Sequence, residues 1–64
     1  MPIARLSIME GRSEQEIATL IDAVTQAIHA SLQAPHRNIR VLVEVVPFTQ
    51  WGIGGKTAAE LGET

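Results

Sequence analysis

The stretch SEQEIATLIDAVTQAIHASL, residues 13–32, decides the fold of this chain. Ser13 and Glu16 form the S-x-x-E pattern of a capping box, in which each side chain accepts a hydrogen bond from the other residue's backbone N–H at a helix start. Pro35 ends the helix, because proline lacks the N–H that a further turn needs. The spacing between them predicts one amphipathic helix of roughly five turns with a single apolar face. Its apolar residues recur at steps of three and four: Ile17, Leu20, Ile21, Val24, Ile28 and Leu32.

The segments on either side of this helix have the composition of β-strands. Residues 2–9 alternate loosely between two faces, and NIRVLVEVV, residues 38–46, is rich in β-branched side chains. A strand, a helix and a strand in this order predict a βαβ unit with parallel strands. The second strand is apolar on both faces, which indicates that one face meets the helix and the other meets a second subunit.

A glycine-rich stretch, FTQWGIGGK at residues 48–56, follows the second strand. Its three glycines predict a tight hairpin or a flexible turn, and a short helical turn is expected near Ala58 to Leu61. No linker, repeat or low-complexity segment divides the chain. We therefore predict a single domain, 1–64, of the α/β class: one βαβ unit followed by a C-terminal β-hairpin.

The composition predicts self-association. Chains of 64 residues bury only about 60% of the surface that they expose when unfolded, and this chain has no cysteine to form a disulfide. Hydrophobic residues make up 45% of the sequence, and most of them are aliphatic. One helix face cannot cover that much apolar surface, so we expect an oligomer.

The charge and hydropathy of the chain exclude other classes of protein. A formal net charge of −2 argues against a nucleic-acid partner, which requires cations to neutralise phosphates. No apolar run approaches the ~20 residues of a membrane span, and no signal segment precedes one. These features predict a cytoplasmic protein without a membrane or nucleic-acid partner.

Pro2 is the first candidate for chemistry. Proline suits the first residue of a strand, where its missing N–H is not needed, and this structural role is one interpretation. The other is catalytic. If Met1 is removed, the proline nitrogen becomes a secondary amine. This amine can act as a general base when an apolar pocket or nearby cations lower its pKa.

Two arginines are candidates for binding an anion. Arg12 precedes the helix N-cap, where a cation opposes the helix macrodipole, so helix stability does not explain it. It either pairs with a nearby glutamate (Glu10, Glu14 or Glu16) or clamps a substrate carboxylate with its planar fork. Arg40 interrupts an aliphatic strand, either as a rim charge, as one that pairs across a subunit interface, or as a cation that binds an anionic substrate.

The remaining candidates are aromatic. Trp51, beside the glycine turn, either packs in a core or interface or walls an active-site pocket. His29 and His36 have no recognisable catalytic partners, and we expect both to be solvated.

Taken together, MPIARLSIMEGRS, the Ile39–Arg40 pair and WGIGG at 51–55 closely resemble the 4-oxalocrotonate tautomerase family of the tautomerase superfamily. The resemblance extends over essentially the whole chain. It implies a homohexamer built as a trimer of dimers, with sites formed by residues from neighbouring chains. It also implies an isomerase that needs no cofactor or metal and acts on a small unsaturated carboxylate or dicarboxylate.

The resemblance also implies roles for the candidate residues. Met1 is removed, and Pro2 takes the 2-hydroxyl proton of a 2-hydroxymuconate-like substrate and protonates C5. Arg40 binds the keto or hydroxyl end with its adjacent carboxylate, and Arg12 holds the distal carboxylate and draws electron density along the conjugated system. Trp51 stands where family members carry phenylalanine, and its bulk and N–H donor bear on substrate preference.

Three alternatives stay open beside the tautomerase. Two belong to the same superfamily: a dehalogenase of haloacrylates and a decarboxylase of small keto acids. The third is a subunit that forms the oligomer without catalysing a reaction.

Overall fold

The computed structural model describes residues 1–63 and confirms the βαβ unit with its C-terminal hairpin. The second strand begins two residues later than predicted, because residues 36–38 form a 3-10 turn instead of extended chain. A similar turn, Phe48–Gln50, follows that strand. The elements are β1 (Ile3–Met9), α1 (Glu14–Leu32), β2 (Arg40–Val46), β3 (Gly52–Ile53), β4 (Lys56–Thr57) and α2 (Ala58–Leu61).

The two long strands pair in parallel over their full length. Ile3 lies opposite Arg40, and the register continues to Met9 opposite Val46. α1 packs on one face of this sheet, mainly over β2, and Ile39 at the entrance to β2 is buried. The strand alternation predicted from the sequence therefore sorts one set of side chains toward the helix and the other set away from it.

The ends of α1 are closed by short-range bonds. At its start the Ser13 hydroxyl accepts from the Glu16 N–H at 3.1 Å, and the Glu16 carboxylate accepts from the Ser13 N–H at 3.0 Å, which confirms the predicted capping box. At its end Gln33 takes a left-handed conformation with φ of 56°. His29 is half-buried and stacks on the exposed His36 with ring centroids 3.9 Å apart, so the expectation that both are solvated is wrong for His29.

The C-terminal segment forms a small antiparallel hairpin, β3–β4, closed by Gly54 and Gly55 at φ of 59° and 93°. α2 follows it directly and begins with a second capping box, between Thr57 and Glu60. Ala58, the first residue of α2, is fully buried.

A single chain leaves its hydrophobic core unfinished. It exposes 4766 Å² of surface, whereas a compact monomer of this mass exposes about 4,000 Å². Its radius of gyration is 14.5 Å, compared with about 11 Å for a compact domain of this length. On the face of the sheet opposite α1, Ile3 and Leu42 are about half exposed. Within residues 1–63 no helix is both long enough and apolar enough to span a bilayer.

Candidate active site

The four candidate residues lie at opposite ends of the β1–β2 sheet. Pro2 and Arg40 are at the end where both strands begin, and Arg12 and Trp51 are beyond the end where both strands finish. β1 has seven residues, so the two ends are about 23 Å apart at the usual rise per residue. A small dicarboxylate is much shorter than this, and within one chain it cannot touch both groups at once.

At the first end, the backbone joins Pro2 to Arg40. The Arg40 N–H donates to the Pro2 carbonyl at 3.0 Å, which extends the pairing of the strands by one bond. The Arg40 side chain is exposed, and its guanidinium donates to the Arg37 carbonyl at 2.6 Å. Pro2 is half-buried, whereas Met1 is 76% exposed and adds little to the packing.

At the second end is an open concavity of about 770 Å³. Three charged residues line it: Glu10, Arg12 and Glu16. Most of the rest of the lining is apolar and comes from β1, α1 and the turn after β2: Ile8, Met9, Ile17, Leu20, Phe48 and Trp51. The concavity therefore combines one cation with apolar side chains. Such a lining suits a ligand that has a carboxylate and an apolar part.

Arg12 reaches this position through a bend that glycine permits. β1 ends at Met9, and the Glu10 N–H donates to the Val46 carbonyl at 2.9 Å, which fixes the last point of the sheet. Gly11 then takes φ of 116°, a conformation that side chains with a Cβ rarely adopt. The chain turns there, and Arg12 lies at the mouth of the concavity beside the start of α1.

Trp51 is positioned by contacts on both sides of it. The Glu10 carboxylate accepts from the Phe48 N–H at 2.9 Å and so holds the first residue of the turn that leads to Trp51. The Ala58 N–H donates to the Trp51 carbonyl at 2.7 Å, and Ala58 is fully buried. The half-buried Trp51 therefore forms a wall of the concavity that is anchored to the sheet and to α2.

Arg12 also makes one of the ion pairs considered from the sequence. Its Nη1 lies 3.6 Å from Glu16 Oε2, and the two side chains are 68% and 56% exposed. The pKa of the Glu16 carboxyl is lowered, first by the hydrogen bond from the Ser13 backbone and further by the charge of Arg12. An exposed pair of this kind stabilises a helix by only about 0.3–0.5 kcal/mol, so it does not prevent Arg12 from binding a ligand.

Glu10 and Glu16 are the charged lining residues that sequence reasoning missed as parts of the site. Glu16 carries a visible signal, since the capping box places its carboxylate beside the residue before the N-cap. Glu10 carries none, because its partner Phe48 lies 38 residues further along the chain.

Comparison with known proteins finds relatives along nearly the whole chain. The family model described as "Tautomerase enzyme" matches residues 2–60. The 2-hydroxymuconate tautomerase of Stutzerimonas stutzeri is 45% identical over 62 residues, which cover 97% of this chain and 98% of that protein. A 4-oxalocrotonate tautomerase isozyme from Methylibium petroleiphilum has a TM-score of 0.92 at 42% identity, covering 97% of this chain and 100% of that one. The heterohexamer 4-oxalocrotonate tautomerase from Chloroflexus aurantiacus J-10-fl has a TM-score of 0.89 at 36% identity, covering 95% and 98%.

Proposed function

The chain belongs to the tautomerase enzyme family and is an isomerase, and from this premise we propose that the amine of Pro2 carries the proton in its reaction. The observation that carries the proposal is the extent of the family match, which begins at residue 2 and therefore includes this proline. Removal of Met1 converts the ring nitrogen from an amide into a secondary amine. The exposure of Met1 means that its loss disturbs little packing.

The proposed reaction moves one proton and three electron pairs of the substrate. The Pro2 nitrogen takes the proton from the 2-hydroxyl of a 2-hydroxymuconate-like dienol, and the O–H electrons form the carbonyl. The π electrons shift along the conjugated chain, and C5 receives a proton from the Pro2 ammonium. The product is the conjugated ketone, and Pro2 returns to its free amine, so the step is an isomerisation without net oxidation.

The two arginines supply charge at the two ends of the substrate. Arg40 binds the oxygen at C2 together with the adjacent carboxylate, where negative charge develops as the proton leaves. Arg12 binds the distal carboxylate at the mouth of the concavity, and Trp51 lines the wall that excludes water. Such positioning contributes to the rate because the reacting atoms are held in line with Pro2.

We further propose that each site forms between chains of a homohexamer, with Pro2 from one chain and the concavity from another. The separation of about 23 Å between the two ends of β1 supports this arrangement. The 4766 Å² of exposed surface supports it as well, because an oligomer would cover part of that excess. A cytoplasmic location stays a prediction.

Mixed oligomers test both parts of the proposal. Pro2→Ala and Arg12→Ala homo-oligomers are each expected to lose most of the ketonisation of a dienol, followed by ultraviolet absorbance. Intact mass first establishes that Met1 is absent. When the two variants are unfolded together and refolded in equal amounts, a site shared between chains regains about a quarter of the wild-type activity.

Other outcomes contradict the proposal in distinguishable ways. Full activity of Pro2→Ala in the des-methionine protein shows that the reaction does not need the secondary amine of proline. Two inactive variants that regain nothing on mixing, while they still form the oligomer, place the whole site within one chain. Turnover of a haloacrylate or a keto acid in preference to dienols favours the dehalogenase or the decarboxylase instead.

A further inference from the structure

We propose that Glu16 is a specificity-determining residue of this site, because its carboxylate beside Arg12 weakens the binding of the distal carboxylate and so reduces the advantage of a dicarboxylate over a substrate with one carboxylate and an apolar end. The inference rests on the proposed role of Arg12 as a carboxylate ligand. It adds a residue that opposes this binding and narrows the class of substrate that the concavity accepts.

The position of the Glu16 carboxylate is fixed by the helix start. Its Oε1 accepts from the Ser13 N–H at 3.0 Å, while the Glu16 N–H donates to the Ser13 hydroxyl at 3.1 Å. These reciprocal bonds hold the carboxylate at the first turn of α1, and its Oε2 then lies 3.6 Å from Arg12 Nη1. The Glu16 carboxylate is ionised at neutral pH, since the hydrogen bond from the Ser13 backbone lowers its pKa from an ordinary value that is itself well below 7.

The charges around the concavity weaken the attraction of Arg12 for a second anion. Arg12 is the cation of the lining, and two carboxylates, those of Glu10 and Glu16, accompany it. The formal charge of these three groups is therefore −1 at neutral pH. Glu10 is already engaged by the Phe48 N–H, but its charge remains. The apolar side chains that make up most of the remaining lining suit a hydrocarbon or aromatic end of a substrate better than a carboxylate.

Two opposing effects of Glu16 on Arg12 can be compared. Glu16 helps binding when it holds the Arg12 guanidinium in place. This gain is no more than about twofold, because an exposed ion pair four residues apart stabilises its geometry by only about 0.3–0.5 kcal/mol. A carboxylate bound on the far side of the guanidinium lies about 6 Å from the Glu16 carboxylate, and the two repel each other. This repulsion weakens binding by about threefold at the dielectric constant of water and by about tenfold at half that dielectric constant. Repulsion therefore prevails, and its net effect is to weaken binding of the carboxylate by about 1.5- to fivefold.

The Glu16→Gln variant isolates the charge. The glutamine amide oxygen can still accept from the Ser13 N–H, so the capping box is kept and the negative charge is lost. The chain offers a matched control in α2, where Glu60 forms the same capping box with Thr57 at 2.9 and 3.0 Å. Among the described residues, the ion pair found is Arg12–Glu16. Glu60→Gln therefore removes the charge from a capping box without removing the ion-pair partner of an arginine.

The readout is competitive inhibition of phenylenolpyruvate ketonisation by adipate and by hexanoate, in low salt and in 0.5 M salt. In Glu16→Gln the inhibition constant of adipate is expected to fall about 1.5- to fivefold, and that of hexanoate to stay within experimental error. The gain should shrink in high salt, because screening shortens the range of the repulsion. Glu60→Gln should match the wild type with both inhibitors.

An unchanged or higher inhibition constant for adipate in Glu16→Gln overturns the inference, and so does an equal fall for hexanoate. Arg12→Ala separates this result from a failure of the proposed function. If Arg12→Ala weakens adipate while Glu16→Gln does nothing, the role of Arg12 stands and only the inference about Glu16 fails. If Arg12→Ala leaves adipate unaffected, both fail. If both hold, Glu16→Gln should have a smaller effect on adipate in the Arg12→Ala background, because no arginine then holds the carboxylate near Glu16.

Discussion

Replacing Glu10 with alanine should loosen the wall of the concavity without unfolding the chain. The Glu10 carboxylate accepts from the Phe48 N–H at 2.9 Å, and this N–H is the first of a 3-10 turn whose N-cap, Pro47, offers no side-chain acceptor. Glu10, 38 residues earlier in the chain, therefore supplies the hydrogen-bond acceptor that an N-cap side chain would otherwise provide. Because the bond is exposed, its loss is comparable to the loss of a helix N-cap, about 1 kcal/mol of unfolding free energy.

The loss should be local, since the Ala58 N–H still holds the Trp51 carbonyl at 2.7 Å from the other side. Trp51 is the one tryptophan of the sequence, so its fluorescence reports on the wall directly. In Glu10→Ala, acrylamide should quench Trp51 more strongly than in the wild type, and the KM for a dienol should rise more than kcat falls. Urea unfolding at a fixed protomer concentration should give the loss of about 1 kcal/mol.

Glu10→Gln is the matched control, because the amide oxygen can accept from the Phe48 N–H in place of the carboxylate. It should restore most of the stability and the wild-type quenching. The reasoning is refuted if Glu10→Gln is as unstable as Glu10→Ala, or if Trp51 is quenched equally in the alanine variant and the wild type.

Two further predictions concern stability. Gln33 ends α1 at φ of 56°, where glycine is favoured, so Gln33→Gly should raise the unfolding free energy by about 0.5–1 kcal/mol in a thermal melt, and a lower melting temperature would contradict this. The pKa values of Glu16 and Glu60 are lowered, chiefly by backbone hydrogen bonds within their capping boxes. Their contribution to stability is present above pH 4.5, the ordinary value, and should be lost as the pH falls through the lower folded values. The double variant Glu16→Gln/Glu60→Gln should therefore lose less stability than the wild type between pH 5 and 3, and parallel pH profiles would count against the two carboxylates.

Local features of the fold were predictable because their signals lie within a few residues. The Ser13–Glu16 box, the apolar stripe of α1 and the glycines of the hairpin each act through neighbours in the chain. The start of β2 was less predictable. The predicted strand began at Asn38, next to a run of β-branched residues, but hydrogen bonds from Asn38 to Pro35 and from Ile39 to His36 close a turn there.

The sequence by itself determined which groups are available for chemistry: a proline at position 2, the arginines Arg12 and Arg40, and a tryptophan beside a glycine turn. Only the tertiary structure decided where they lie, because the parallel register of β1 and β2 puts Pro2 and Arg40 at one end of the sheet and Arg12 and Trp51 at the other. It also placed Glu10 against Phe48 and brought Trp51 to the wall beside Arg12. Such contacts depend on strand pairing between distant segments, and no local pattern of residues specifies that pairing.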